Sequence, residues 1–264
     1  MNSRALWQHN KAVSESYVLE SFDPINFLDR YGLMVVVAPT GSGKTVFLTD
    51  LLARVHQHFY LILLLSRTAK LQTVYSFMEP SLVYDSFDET LLTDLWNERI
   101  EQYSSGLELK PTLILMDDIL TEKKVHNSKI LKELACGSRH LKISVIILSH
   151  GVTQLNALVR NNASWAVSFD LDRERERKNF INEYLSTESY RIGELLFKKT
   201  VQETKYQCIV VEVHKNGADV NTKVKKFVAN SSPKKFKIKD PRVTETVRVI
   251  NTAPRPPRSL LRRQ

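Results

Sequence analysis

The most constraining feature of this chain is a glycine-rich loop, residues 38–45 (APTGSGKT), placed between two apolar segments of different periodicity. The uninterrupted apolar run at residues 33–37 predicts a buried strand, whereas residues 46–53 have the apolar spacing of a helix. In such a strand–loop–helix unit the glycines let backbone N–H groups turn toward a phosphate, and the helix N-terminus adds a partial positive charge. The loop therefore predicts a nucleoside triphosphate site.

Individual loop residues have distinct expected roles. The Lys44 ammonium is expected to reach the β- and γ-phosphates, and the Thr45 hydroxyl to ligate Mg²⁺. Ala38 stands where the pattern usually has Gly, a replacement of one small residue by another. The full predicted nucleotide-binding set is Pro39, Thr40, Gly41, Ser42, Gly43, Lys44, Thr45 and Val46.

Apolar runs alternate with helical patterns along the rest of the chain. The predicted strands are residues 33–37, 59–65, 82–84, 112–116, 143–148, 163–170 and 206–213. The predicted helices follow residue 45 and cover residues 89–103, 124–138 and 173–184. This alternation predicts an α/β fold with a mostly parallel central sheet flanked by helices.

The length of 264 residues favours one large domain, which we place at residues 31–232. Residues 1–30 form an N-terminal segment, in which Trp7 is expected to pack against the sheet, with a subunit or capsid contact of Leu6 and Trp7 as the alternative. No apolar run is long enough to cross a bilayer, and no signal-peptide core begins the chain. With only Cys136 and Cys208, the composition favours a reducing compartment.

The net charge of +9 is concentrated in residues 233–264, which hold ten Lys and Arg residues against Asp240 and Glu245. The preceding residues are nearly neutral, with 28 basic and 27 acidic side chains. We expect a basic, Pro-containing, flexible C-terminal tail that binds a polyanion, most plausibly nucleic acid. A solvated terminus without a partner is the alternative.

Two adjacent carboxylates, Asp117 and Asp118, follow the apolar run at residues 112–116. Ligands of doubly wound sheets bind at the carboxyl ends of the strands, which places both side chains beside the glycine-rich loop. Asp117 is expected to hold Mg²⁺, and Asp118 to orient or deprotonate an attacking water. Alternatively, Asp118 only caps the helix that follows.

A third segment, residues 143–150, ends in Ser149 and His150, either of which is a candidate to sense the γ-phosphate or to position water. Arg139, just before this strand, is a candidate arginine finger for the nucleotide of a neighbouring subunit, and Arg160 is its rival. For both arginines a surface or structural role is the alternative.

The order and spacing of residues 38–45, 113–118 and 138–150, with residues 65–69 and 158–163, resemble the genome-packaging ATPases of poxviruses, other large DNA viruses and related mobile elements. These proteins belong to the FtsK–HerA branch of P-loop motors, so the resemblance implies a P-loop NTPase fold of the RecA-like, ASCE type. The resemblance covers about residues 25–185 and implies a ring-forming homo-oligomeric motor that uses ATP and Mg²⁺ to translocate double-stranded DNA into a capsid.

The resemblance also assigns roles: it places the ATP and Mg²⁺ site at Lys44, Thr45, Asp117 and Asp118, and makes Arg139 the arginine finger. His150 is a departure, because this branch often has Gln there. The family implies capsid or portal proteins as partners, no membrane, and a viral assembly site in the host cytoplasm or nucleus, or the virion. A nucleoside or polynucleotide kinase, and a nucleotide-gated, non-catalytic DNA clamp, are the alternative functions.

Overall fold

A nine-stranded sheet organises the part of the chain that this computed structural model describes, residues 3–69, 73–120, 123–214 and 219–242. The order across the sheet is 1-9-8-7-2-6-5-3-4, and every pair is parallel except the two made by strand 8. This confirms the predicted mostly parallel α/β fold. The strands are β1 (Glu20–Ser21), β2 (Leu33–Val37), β3 (Leu61–Ser66), β4 (Val83–Tyr84), β5 (Thr112–Asp117), β6 (Ile143–Ser149), β7 (Ala163–Ser168), β8 (Gln207–Glu212) and β9 (Val224–Val228).

Helices connect these strands, and side-chain caps mark where several of them begin. Asp88 accepts a hydrogen bond from the Leu91 amide at 2.9 Å, and Ser128 accepts one from the Leu131 amide at 3.3 Å. The Ser128 cap splits the single helix predicted at residues 124–138 into two. The helices are α1 (Ser3–Ser16), α2 (Lys44–Val55), α3 (Glu89–Ser104), α4 (Lys123–Asn127), α5 (Lys129–Gly137), α6 (Ala157–Asn162), α7 (Glu174–Phe180), α8 (Tyr190–Val201) and α9 (Val220–Lys223).

The four central strands β2, β3, β5 and β6 are buried along their entire length. Strands covered by helices on both faces have no polar face, which is why each reads as a continuous apolar run in the sequence. Within the described ranges, no helix has both the length and the apolarity that a membrane span requires.

The N-terminal segment differs from the expectation that Trp7 fills the core. Residues 3–16 form helix α1, which packs against α8 and turns Asn10 and Ser14 inward. Trp7, one helical turn before Asn10, keeps 46% of its surface exposed, and the Lys11 ammonium lies 5.4 Å from the centre of its ring. The prediction that Trp7 packs into the core was therefore wrong.

The first ten residues of the predicted flexible tail, 233–242, are packed on the domain. Ile238 and Asp240 are buried, and the Ile238 amide donates a hydrogen bond to the Phe77 carbonyl at 2.8 Å. The residues that follow, 243–264, lie outside the described part of the chain. Residues 233–242 are therefore docked on the domain and are not the start of a flexible tail, because their apolar side chains pack against it.

Candidate functional site

The register of the parallel strands brings the predicted site residues to one edge of the sheet. Val37, at the end of β2, pairs with Ser149 of β6, and Asp117, at the end of β5, pairs with Leu148 of the same strand. The glycine-rich loop, Asp118 and His150 each follow one of these strand ends. They are therefore neighbours in space although more than one hundred residues separate the loop from His150.

The loop curves over the N-terminus of α2 with two glycines in the left-handed region, Gly41 at φ 79° and Gly43 at φ 115°. A Cβ atom at Gly43 would lie 2.8 Å from the Tyr206 ring, whereas one at Gly41 would meet no atom within 4 Å. Both glycines are needed for the backbone path, and Gly43 is also needed for the close approach of Tyr206. This geometry is that of a phosphate-binding loop closing onto a helix N-terminus.

Lys44 is 8% exposed, and its ammonium donates to the Ala38 carbonyl at 2.7 Å and contacts His150 Nδ1 at 2.8 Å. Burial lowers the pKa of Lys44 from its ordinary value, and the Asp118 and Asp117 carboxylates oppose that shift. The lysine side chain is thus held across the loop, near the two carboxylates.

His150 joins the lysine to Asp118, because its Nε2 lies 3.0 Å from Asp118 Oδ2. An ammonium can only donate, so His150 Nδ1 accepts a hydrogen bond from Lys44. The N–H at His150 Nε2 then donates a hydrogen bond to Asp118 Oδ2. His150 therefore links the two groups as an acceptor at Nδ1 and a donor at Nε2. It fixes one oxygen of Asp118 and leaves the other to different partners.

That other oxygen, Asp118 Oδ1, is buried and has no hydrogen-bond partner among the described residues. The Asp118 backbone is in the left-handed region, with φ 53°, a conformation that Asp tolerates better than most residues. The turn directs the carboxylate back over the sheet edge toward His150. A buried acceptor without a partner is costly, and such atoms mark places where a ligand or water binds.

Asp117 is 8% exposed, and its Oδ2 accepts hydrogen bonds from the Tyr75 hydroxyl at 2.7 Å and from Ser66 Oγ at 3.4 Å. Burial raises the pKa of Asp117 above its ordinary value; the Tyr75 bond and the Lys44 charge lower it, while the Asp118 charge raises it. Burial also raises the pKa of Tyr75, as do the Asp117 charge and hydrogen bond, so the phenol stays protonated as a donor.

The donor set fits a hard divalent cation. Asp117 provides a carboxylate at the end of β5, and Thr45 at the start of α2 provides a hydroxyl. Mg²⁺ prefers such oxygen ligands and takes the remainder from phosphates and water.

Ser149 is buried below the site and does not reach it. Its hydroxyl donates to the Gly151 carbonyl at 2.9 Å and contacts Gln154 Oε1 at 3.0 Å. These bonds hold the turn that follows β6, and the His150 amide donates to the same Gln154 oxygen at 3.0 Å. Of the two candidate sensors, only His150 contacts the loop lysine and Asp118.

Neither candidate arginine finger joins this constellation within the chain. Arg139 precedes β6 and lies in a groove with Asp29 and Tyr31, which precede β2, at the opposite edge of the sheet. Arg139 is exposed, and its Nε lies 3.5 Å from His140 Nε2. Arg160 donates to the Leu155 carbonyl at 2.8 Å and lies 3.8 Å from Glu183.

Sequence reasoning missed Tyr75 and Tyr206. Tyr75 lies in a loop segment after β3, where no pattern indicates its hydrogen bond to Asp117. Tyr206 is the first residue of the strand predicted at residues 206–213. In the structure it lies just before β8 with φ 61°, and its ring packs on Gly43. A cleft beside the loop is lined by Tyr206, Lys205 and Thr40. No local signal identified either residue, because each reaches the site through tertiary packing.

The parallel sheet, the loop at the N-terminus of α2 and the paired carboxylates at the neighbouring strand end together define a P-loop NTPase. Residues 20–223 match the family described as Poxvirus A32 protein, and the chain belongs to that family.

Other proteins are similar over parts of the chain. "Uncharacterized protein 075L" of Invertebrate iridescent virus 6 is 26% identical over 155 residues, which are 58% of this chain and 58% of that relative's length. The genome packaging NTPase B204 of Sulfolobus turreted icosahedral virus 2, solved with ATP-γ-S, is 17% identical; the match covers 78% of this chain and 100% of that chain, with a TM-score of 0.53.

The pCW3 conjugation coupling protein TcpA, solved as a monomer with ATP-γ-S, is 18% identical. That match covers 84% of this chain and 66% of that chain, with a TM-score of 0.56. At these identities the likeness to the solved structures shows the fold.

Proposed function

We propose that this chain is an ATP-hydrolysing motor that translocates double-stranded viral DNA into a capsid. The observation that carries the hydrolytic part is the Lys44–His150–Asp118 arrangement at the edge of the sheet, with one Asp118 oxygen left without a partner among the described residues. The translocating part rests on membership of the A32 family and on folds shared with a genome packaging NTPase and a conjugation coupling protein.

In the proposed site, the backbone of residues 41–45 surrounds the phosphates, and Lys44 leaves the Ala38 carbonyl to pair with the β- and γ-phosphates. Thr45 and Asp117 would hold Mg²⁺, which when bound would neutralise charge that develops on the phosphate oxygens. The Tyr206 ring lies beside the loop, where it is placed to contact the nucleoside.

Asp118 acts as the general base. A water oxygen attacks the γ-phosphorus, its proton passes to Asp118 Oδ1, and the bond from the γ-phosphorus to the bridging oxygen breaks to release ADP. His150 keeps the other carboxylate oxygen in place through the 3.0 Å contact to Oδ2. When Lys44 turns to the phosphates it leaves His150 Nδ1. Because phosphate oxygens only accept hydrogen bonds, His150 senses the γ-phosphate only with a proton on Nδ1 as well as on Nε2.

In this proposal Arg139 acts as an arginine finger only on the nucleotide bound by a neighbouring copy of the chain. Its exposed guanidinium lies at the sheet edge opposite to the nucleotide site of its own chain, whereas Arg160 is held by a backbone carbonyl. An arginine finger supplied in trans requires a homo-oligomer, which a ring provides. Capsid or portal partners, and assembly in the host cytoplasm or nucleus with association to the virion, follow from the same motor function.

The test is phosphate release from ATP with and without long double-stranded DNA. Asp118→Asn keeps the size of the side chain and, like Asp, tolerates the left-handed backbone at this position, so it isolates the loss of the base. We expect this variant to bind ATP and to lose turnover by about 10²–10⁴-fold, and Lys44→Ala to lose turnover as well.

Unchanged turnover in Lys44→Ala would show that the assigned site is wrong. ATP binding without turnover in the wild type would favour the DNA clamp, and phosphoryl transfer to an acceptor with little free phosphate would favour the kinase.

A further inference from the structure

Side chains of the docked C-terminal segment alternate between the domain and the solvent. Phe236, Ile238 and Asp240 are turned inward, with Ile238 and Asp240 buried, whereas Lys235, Lys237 and Lys239 are exposed. We call Lys235, Lys237 and Lys239 the lysine row. In an extended chain alternate residues lie about 6.5–7 Å apart on one face, so the row is a regular series of positive charges.

The ammonium groups of the lysine row have no acidic partner in the part of the chain that the structure describes. Two acids lie nearby, and each has another donor. The two oxygens of Asp240 accept hydrogen bonds from Arg242 at 2.8 and 2.7 Å, and the Glu79 carboxylate accepts one from the Asp240 amide at 2.6 Å. The contacts with Arg242 hold the pKa of Asp240 below its ordinary value. The lysine charges are therefore available to an external polyanion.

The backbone of this segment is bonded to residues 77–79 like an added strand. The Ile238 amide donates to the Phe77 carbonyl at 2.8 Å, and the Glu79 amide donates to the Ile238 carbonyl at 2.9 Å. The Phe236 and Phe77 rings pack with their centres 4.7 Å apart. A displacement of this segment would therefore act directly on residues 77–79, to which its backbone is hydrogen-bonded.

Residues 77–79 continue directly from Tyr75, the donor to Asp117. The Met78 amide donates to the Tyr75 carbonyl at 2.9 Å, and the rings of Tyr75 and Phe77 contact edge to face with their centres 6.2 Å apart. The Tyr75 hydroxyl then donates to Asp117 Oδ2 at 2.7 Å. A continuous set of contacts therefore connects the lysine row to the proposed Mg²⁺ ligand.

We propose that the lysine row binds the phosphate backbone of double-stranded DNA, and that this contact controls ATP turnover through residues 77–79 and Tyr75. The inference rests on the proposed motor function and names a DNA surface and a route by which DNA reaches the nucleotide site. Contacts to phosphates are independent of base sequence, which suits a translocated substrate.

The first experiment compares the full chain with a triple variant of the lysine row, Lys235→Gln, Lys237→Gln and Lys239→Gln. The matched control removes the same charge from exposed lysines elsewhere, by Lys129→Gln, Lys132→Gln and Lys199→Gln. Binding of long double-stranded DNA is measured by anisotropy at several salt concentrations. Each phosphate contact contributes about 0.9 to the slope of log affinity against log salt, so we expect the row variant to lose about 2.7.

Between about 50 and about 200 mM salt this slope difference means that the wild type loses about 40-fold more affinity than the row variant. The control triple is expected to keep the wild-type slope. Equal slopes in both triple variants would overturn the assignment of the lysine row.

The second experiment tests the route to the nucleotide with Ile238→Asn, which places an amide in the buried position and releases the segment while keeping every lysine. We expect DNA binding within about threefold of wild type, since each phosphate contact depends on charge, and loss of DNA-stimulated phosphate release. Retained stimulation in this variant would overturn the route. If DNA does not stimulate phosphate release by the wild-type protein, the proposed motor function itself is contradicted. That outcome is seen with the wild type alone, so it is distinguishable from failure of the route.

Discussion

The hydrogen bond between Tyr75 and Asp117 provides a sharp test of the site, because Tyr75→Phe removes one hydroxyl and leaves the ring. Tyr75 is 4% exposed, and its ring keeps the contact to Phe77 after the change. The only strong donor to Asp117 Oδ2 among the described residues is lost, since Ser66 Oγ at 3.4 Å is a long contact. The change is therefore confined to one charge-assisted bond.

A hydrogen bond to a charged group contributes about 1.5–3 kcal/mol to stability. For a domain of this size about 1 kcal/mol corresponds to roughly 2–4 °C in melting temperature, so Tyr75→Phe should lower it by about 3–12 °C. The sign of the pH dependence follows from the bond itself, which lowers the pKa of Asp117 by favouring the carboxylate. The loss should be greatest where Asp117 is ionised and should shrink as the pH falls and the carboxyl is protonated.

Thermal unfolding followed by circular dichroism, over a series of pH values without nucleotide or metal, measures this effect. Tyr103→Phe is the matched control, because Tyr103 is 62% exposed and makes no comparable bond in the described chain. Equal melting temperatures for the two variants, or a loss that does not change with pH, would refute the reasoning. In turnover assays Tyr75→Phe should also raise the half-saturating Mg²⁺ concentration by about 10–100-fold, as expected for a residue that orients a metal ligand.

Two further predictions concern neighbouring positions. Burial raises the pKa of Asp117, so the folded carboxyl holds its proton more tightly than the unfolded one, and the contribution of Asp117 to stability rises as the pH falls through that raised pKa toward about 4. Asp117→Asn should therefore be more stable than wild type at pH 7 in urea unfolding and should lose this advantage at low pH; lower stability at pH 7 would contradict the argument. Gly43→Ala should cost clearly more unfolding free energy than Gly41→Ala, because both incur the left-handed penalty of about 1–2 kcal/mol but only Gly43 meets the Tyr206 ring. Equal costs in urea titrations would argue against the close approach of Tyr206.

The parts of the site that the sequence could predict are those tied to strand ends. Once residues 33–37, 112–116 and 143–148 are recognised as parallel strands, whatever follows them must emerge at one edge. Lys44, Asp117 and His150 were therefore identified as neighbours without knowledge of the strand order. The same argument implies that Arg139, which precedes its strand, lies at the other edge, as the structure shows.

What the sequence could not predict depends on segments without regular periodicity that return to the sheet from elsewhere in the chain. Tyr75 lies in a loop, and the lysine row lies in a stretch whose composition indicates a free tail. Yet residues 235–240 alternate between lysine and inward side chains, which is the pattern of an edge strand with one polar face. That pattern becomes informative only when residues 77–79 are seen to offer unpaired backbone groups beside it. The lysines that predict a polyanion-binding arm and the alternation that docks it thus belong to the same stretch of sequence, and docking connects that stretch through residues 77–79 to Tyr75 and Asp117.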